Sequence, residues 1–161
     1  RWLGGEPQLV SATAIESDAN PGVDADLVAR LAYPSGATAV MHSGMLNPTV
    51  SFAFRLTGTR GTIEAPAFVL PMNDDRLIIS VDERGFLGRN RRRRRIERMG
   101  TTPTFQYQLA AFAAAVRTGA PLRNDLDDAV RQMALIDLTY QAAGMTPRPV
   151  SQPDDSGMSP G

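Results

Sequence analysis

Along Asp24–Tyr33 apolar and polar positions alternate. Leu27, Ala29, Leu31 and Tyr33 fall on one side, and Asp24, Asp26, Val28 and Arg30 on the other. A period of two predicts a half-buried strand with one wetter face. Pro34-Ser35-Gly36 is turn chemistry and Ala37–Ser43 the returning strand, so this stretch reads as an antiparallel hairpin. Upstream, Gln8–Glu16 carries β-branched Val10, Thr13 and Ile15 and predicts a strand; Asn20-Pro21-Gly22 is the turn after it. Downstream, Val50–Thr57 alternates again with Val50, Phe52, Phe54 and Leu56 together. The turn Gly58-Thr59-Arg60-Gly61 leads into a short strand Thr62–Ala65, and Arg76–Val81 supplies a sixth. Short connections between most of these strands imply a largely antiparallel sheet.

After Thr104 the period lengthens. Leu109, Phe112, Ala113 and Val116 recur at helical spacing in a helix predicted over Phe105–Thr118, capped by Thr101, Thr102 or Thr104 and ended by Gly119. A second helix, Leu126–Ala143, starts from Asp125 as cap, with Asp127 and Asp128 near its positive end, and stops at Gly144 and Pro147. Val130, Met133, Ile136, Asp137 and Tyr140 line one side of it; Asp137 either pairs with an arginine or lies at the edge of that face. Phe52, Phe54, Leu109 and Phe112 are expected in the core. Strands first and helices last make an α+β domain, an open, largely antiparallel β-sheet with helices packed on one face. It should span residues 1–150, with Ser151–Gly161 as a disordered tail. Apolar positions on the second sheet face call for sheet-to-sheet self-association as a dimer or tetramer.

Composition narrows the chemistry. The chain has 161 residues, and its seventeen basic residues, all arginine, balance seventeen acidic ones. With no cysteine there is no disulfide, thiolate nucleophile or cysteine-bound metal. With no lysine there is no Schiff base and no P-loop lysine. Neither a G-x-G-x-x-G fingerprint nor a G-x-S-x-G elbow occurs. A self-sufficient enzyme is thereby improbable, and the chain reads as part of one. No apolar run approaches the ~20 residues of a membrane span, and no signal peptide opens the sequence, so the cytoplasm is the default compartment.

His42 is the single side chain whose ordinary pKa is near neutral. It reads first as a solvent-facing or hydrogen-bonded strand residue, without an obvious carboxylate partner in sequence, and second as the one candidate substrate-binding residue. Asp125, Asp127 and Asp128 read as helix capping ahead of a metal cluster. Residues 89–98 hold seven arginines against Glu97, which leaves the remainder of the chain six charges negative. That run reads as a solvated loop kept extended by self-repulsion. Its second reading is a contact with an anionic surface of its own oligomer or with a phosphorylated cofactor. Without interleaved aromatics, nucleic acid is the least favoured partner.

Several segments together carry a family resemblance. They are Arg1-Trp2-Leu3-Gly4-Gly5-Glu6-Pro7; the hairpin from Leu31 to Gly36; Gly58-Thr59-Arg60-Gly61-Thr62-Ile63-Glu64; and a block from Phe105-Gln106-Tyr107-Gln108-Leu109 through Gly119-Ala120-Pro121, Asp127-Asp128-Ala129 and Leu135-Ile136-Asp137 to Ala142-Ala143-Gly144. In this order, over roughly residues 1–150, the chain resembles the C-terminal domain of the Gfo/Idh/MocA oxidoreductases. The resemblance implies a full-length enzyme that moves hydride between NAD or NADP and a carbinol of a sugar or cyclitol. A Rossmann domain would hold the cofactor, and this domain would supply part of the substrate pocket and the oligomer interface. The family's catalytic lysine, Asp and His have no counterpart here, since the opening segment resembles the last turn of the helix that carries the latter two. No catalytic, cofactor-binding or metal residue is therefore assigned to this chain, and no cofactor binding is expected of it alone. The alternative is a stand-alone α+β dimerisation or ligand-binding module.

Overall fold

In the computed structural model, residues 4–46, 48–84, 90–122, 124–147 and 149 are described. Seven strands precede two helices among them: β1 Gln8–Ser17, β2 Asn20–Ala32, β3 Thr38–Gly44, β4 Phe54–Gly58, β5 Gly61–Ala65, β6 Arg76–Arg84, β7 Asn90–Arg98, α1 Thr104–Thr118 and α2 Leu126–Ala142. The α+β, antiparallel class expected from the patterning holds. The strands form two sheets rather than one, in the orders β1-β2-β3 and β4-β5-β6-β7. They lie in two compact units, one made of residues 1–48 and 124–161 and the other of residues 49–123. The expected tail at 151–161 and the opening residues 1–3 lie outside the described residues.

In the first unit β2 is the centre. Ala25, Leu27, Ala29 and Leu31 are its buried side chains, while Arg30 on the opposite face is exposed. The alternation read from sequence is thus the one that folds. Pairing with β1 sets Ala12 opposite Ala29 and Ala14 opposite Leu27, so small residues line the same side. The turn between β1 and β2 falls at Asp18-Ala19, two residues before the expected Asn20-Pro21-Gly22, because Ser17 already pairs with Asn20. Register shifts around Glu16 absorb the offset, and the Gly22 N–H donates to the Glu16 carboxylate.

Helix α2 packs on β1, and its Leu135, Ile136, Thr139 and Tyr140 meet Leu27, Leu31 and Met41 of the sheet. This stripe corrects the expected one. Ile136 and Tyr140 belong to it, whereas Val130 and Met133 are exposed. α2 is apolar on two sides, and the sheet takes the side that also lets the Tyr140 hydroxyl donate to Asp24. Asp137 is half-buried and has no arginine partner among the described residues. Asp125 caps the helix as expected, its Oδ1 accepting from Asp128 N at 2.8 Å. At the far end Gly144 N donates to Gln141 O and Met145 N to Tyr140 O, a Schellman closure.

In the second unit the fourth strand is shorter than expected. Phe52 makes only an isolated bridge to Ala67, and pairing with β5 begins at Phe54. Phe52 and Phe54 are partly exposed rather than core; Phe54 meets Phe68 with ring centroids 6.0 Å apart. The arginine run is the larger correction. From Arg91 to Arg98 it is the edge strand β7, paired along its length with β6, not a loop, and Arg89 lies outside the described residues. Strand geometry sends successive side chains to opposite faces, halving the repulsion among Arg91–Arg95. β6 also presents Asp82 and Glu83 opposite Arg92 and Arg91. Helix α1 begins after Pro103, with no side-chain cap, so the expected threonine capping is absent; Thr104 Oγ1 instead donates to Val69 O at 2.9 Å. Gly119 ends it as expected. No residue of α1 is buried, and Leu109 and Phe112, expected in the core, are exposed.

Candidate functional site

The hairpin of β2 and β3 assembles the one imidazole of the chain with a carboxylate. His42 stands opposite Val28 and Asp26 opposite Gly44, so the two polar side chains are diagonal neighbours on the face away from Leu27. His42 Nε2 and Asp26 Oδ1 are 2.6 Å apart. The pair sits at the surface, with the imidazole 52% and the carboxylate 24% exposed. Gly44 makes room for it, since a Cβ there would press directly on Asp26 Oδ1. A carboxylate accepts only, so Nε2 donates, and in the neutral form of the ring Nδ1 is left as an acceptor. An oriented imidazole of this kind can receive a hydrogen bond from a hydroxyl group. Its neighbours in sequence give His42 no carboxylate partner. Counting back from the Pro34-Ser35-Gly36 turn would have found it, because the hairpin register alone puts Asp26 one diagonal step from His42.

The strongest electrostatics lie elsewhere. Asp74 receives Arg76 Nε at 2.8 Å and Nη2 at 2.6 Å, a two-pronged contact. Those hydrogen bonds hold its carboxyl at about 2, against an ordinary 3.8. Arg98 Nη1 lies 2.5 Å from Asp75 Oδ1 and likewise lowers that carboxyl, which is 12% exposed. These pairs join the strand ends of β6 and β7 to the segment before β6 and read as structural clamps.

Concavities on the first unit are apolar. One is a notch of about 50 Å³ among Leu27, Leu31, Met41 and α2, far smaller than the ~300–1,000 Å³ of ordinary ligand pockets. A second, open groove of about 620 Å³ lies where Pro7, Gln8 and Leu9 face Leu138, Gln141 and Ala142. The donor set does not fit a dinucleotide. Among the described residues both sheets are antiparallel, no glycine-rich turn leads from a strand into a helix, and α2 opens with Asp125, Asp127 and Asp128, which repel a pyrophosphate. The Asp125 trio is occupied in starting the helix. Among the described residues no three His, Asp or Glu side chains come together as metal ligands, and no helix is long and apolar enough to cross a membrane.

Residues 1–150 match the family model described as the oxidoreductase family, C-terminal alpha/beta domain. The D-xylose 1-dehydrogenase (NADP(+)) 2 of Haloferax volcanii is 33% identical over 145 residues, which are 89% of this chain and 41% of that enzyme. The crystal structure of an aldose-aldose oxidoreductase from Caulobacter crescentus complexed with glycerol superposes with a TM-score of 0.61 at 23% identity, over 86% of this chain and 39% of that one. That second likeness supports the fold alone. The chain spans about two-fifths of the length of each of these relatives.

Proposed function

The chain belongs to the Gfo/Idh/MocA oxidoreductase family as its C-terminal alpha/beta domain, and on that premise we propose that it serves a full-length NAD(P)-dependent oxidoreductase acting on a sugar, cyclitol or similar carbinol. The observation that carries this reading is the family match over residues 1–150, together with a 33% identical relative that bears the name of an NADP-dependent xylose dehydrogenase. In this reading residues 1–150 work as one substrate and oligomerisation domain. The cofactor and the proton-transfer groups belong to sequence outside this chain, consistent with a donor set here that suits no dinucleotide. This domain contributes a wall of the substrate pocket and, through the open face of the β1-β2-β3 sheet, the contact with further copies. Val28 and the exposed Ile15 and Val40 share that face with His42 and Arg30, a mixture suited to a subunit contact. His42, oriented by Asp26, is the candidate for a hydrogen bond to a substrate hydroxyl.

Two measurements test this. The full-length protein should reduce NADP+ or NAD+ in the presence of an aldose or cyclitol, and the 161-residue chain alone should neither turn over nor bind the reduced cofactor. Cofactor binding by the isolated chain, or failure of the full-length protein with every polyol tried, would overturn it. A His42→Gln variant of the full-length enzyme should raise KM with little change in kcat if the hydroxyl contact is made. An unchanged KM removes His42 from the pocket.

A further inference from the structure

Among the described residues the two sheets end in four outer strands, and three of these carry features that keep a strand edge from pairing with another chain. β7 holds its arginines, β4 is five residues long and includes Arg55, and β1 is interrupted by three shifts of register against β2. β3 has no such guard. Thr38–Gly44 contains no Arg, Asp, Glu or Pro, and its pairing with β2 runs unbroken from the Ala32–Thr38 pair to the Asp26–Gly44 pair. Its apolar side chains are uncovered as well: Val40 and Met41 are exposed, and so are Met45 and Leu46 just beyond the strand.

The phase of the hydrogen bonds says what that edge offers. Opposed residues of an antiparallel pair alternate between exchanging main-chain hydrogen bonds and exchanging none. Tyr33 N donates to Ala37 O at the turn, and Met45 N donates to Ala25 O at the other end. In the register of this hairpin the odd-numbered residues of β3 are therefore the ones bonded to β2. The N–H and C=O groups of Thr38, Val40, His42 and Gly44 point away from β2, and no strand among the described residues takes them. The His42 side chain turns to Asp26 on the sheet face and leaves its own main-chain edge open.

We infer that β3 pairs antiparallel with β3 of a second copy, across a twofold axis through Met41, and joins two β1-β2-β3 sheets into one. The phase fixes the register. Outward N–H and C=O groups meet only when even-numbered residues oppose even-numbered ones, and the axis at Met41 is the one that uses the whole strand. Thr38 then meets Gly44 of the second copy, and Val40 meets its His42. A slip of two residues either way leaves strand ends unpaired. The chain's own edges also select the occupant. An arginine-laden β7, a five-residue β4 or an interrupted β1 would each match β3 over less length or with more strain, whereas β3 against itself sets no charge on a like charge. Met41 meets its counterpart at the axis, and Val40 lies beside the imidazole of the second copy, so exposed apolar surface is removed from water on both faces. The edge contact is separate from the sheet-face contact proposed above, because a twofold axis perpendicular to the sheet leaves both open faces free on one side.

The test reads association and main-chain protection in the full-length protein. Val40→Pro removes an outward N–H that makes no bond inside the sheet, a change that edge strands tolerate. It should weaken self-association at least about tenfold by sedimentation velocity, since each copy loses a hydrogen bond across the joint. Val40→Lys keeps the N–H but sets a charge at the joint; it should do the same, and it serves if the proline variant does not fold. In the wild type, hydrogen exchange over residues 38–44 should slow as protein concentration rises through the association range, and in Val40→Lys it should not. Met41→Pro loses an N–H directed at Ala29 and should instead disrupt the hairpin itself; equal tolerance of the two prolines would overturn the register. Association of both Val40 variants at wild-type strength overturns the edge contact, and if Ile15→Arg on the open face then abolishes it, the sheet-face contact stands in its place. Protection of residues 38–44 that is the same at every concentration also overturns it, because a strand of the same polypeptide then covers the edge. A wild-type protein that is monomeric at every concentration overturns both contacts, while the oxidoreductase reading is decided separately by turnover.

Discussion

At Gly44 and Gly61 the backbone has been left without a side chain for two different reasons, and the two substitutions should behave differently. At Gly44 a Cβ meets side-chain atoms and no backbone: the Asp26 carboxylate presses hardest and can rotate away, and His42 Nε2 lies at ordinary contact distance, 3.5 Å. Gly44→Ala should therefore separate Asp26 from His42 while costing no more than about 1 kcal/mol. The imidazole nitrogen resonances of His42 should move in that variant while the urea midpoint barely shifts. Unchanged ring nitrogens would mean that Asp26 does not orient the ring. Gly61 has φ +145 and its hypothetical Cβ runs into the backbone carbonyl of Ser80, which pairing between β5 and β6 holds fixed. Strain and clash together should cost Gly61→Ala at least about 2 kcal/mol. A midpoint within error of the wild type would show that β5 is not held as described.

At the scale of elements, legibility followed burial. β2 could be read residue by residue because its two faces differ in solvent exposure, and periodicity reports that difference directly. The same holds for the β2–β3 hairpin, where turn chemistry and alternation agree, and for the start of α2, where Asp125 acts locally. What was lost depended on partners distant in sequence. β7 looks like a solvated loop when its arginines are counted alone, and becomes a strand only once Asp82 and Glu83 stand opposite. The Asp26–His42 pair sits midway, hidden from a motif search yet implied by the hairpin register.

The clamps flanking β6 and β7 give a pH signature. Asp74, hydrogen-bonded to Arg76, and Asp75, hydrogen-bonded to Arg98, both lie below their ordinary values. A carboxyl lowered in the folded state contributes stability that is complete above its unfolded value and is lost as pH falls through its folded value. For Asp74 that window runs from pH ~4 down to ~2. The stability gap between wild type and Arg76→Gln should be constant at neutral pH and close across this window. Urea midpoints measured from pH 2 to 6 decide the matter, and a gap that survives at pH 2 would mean the two-pronged contact is not formed.

For the whole molecule, the core is much smaller than the apolar content of the chain allows. Among the described residues five apolar side chains are buried, four of them on β2 and the fifth Ile78, although 42% of the chain's residues are hydrophobic. Much of the remainder is arranged on faces: Leu109 is 68% and Val116 71% exposed on α1, and Leu126, Val130 and Met133 stand out from α2. An apolar stripe at helical spacing is a sound signal for burial, but it does not say whether the covering surface is in the same stretch of chain. Two substitutions separate the cases in the isolated chain. Leu27→Ala removes a side chain from the β2 core and should cost about 2–5 kcal/mol. Leu109→Gln with Phe112→Gln should stay within about 0.5 kcal/mol, because both side chains stand mostly exposed. The same pair should lower the binding of a hydrophobic dye, which reports exposed apolar surface, whereas wild type binds it without loss of helix or strand signal. If the α1 pair instead unfolds the isolated chain as Leu27→Ala does, then α1 is part of the core and its uncovered face is not a contact surface.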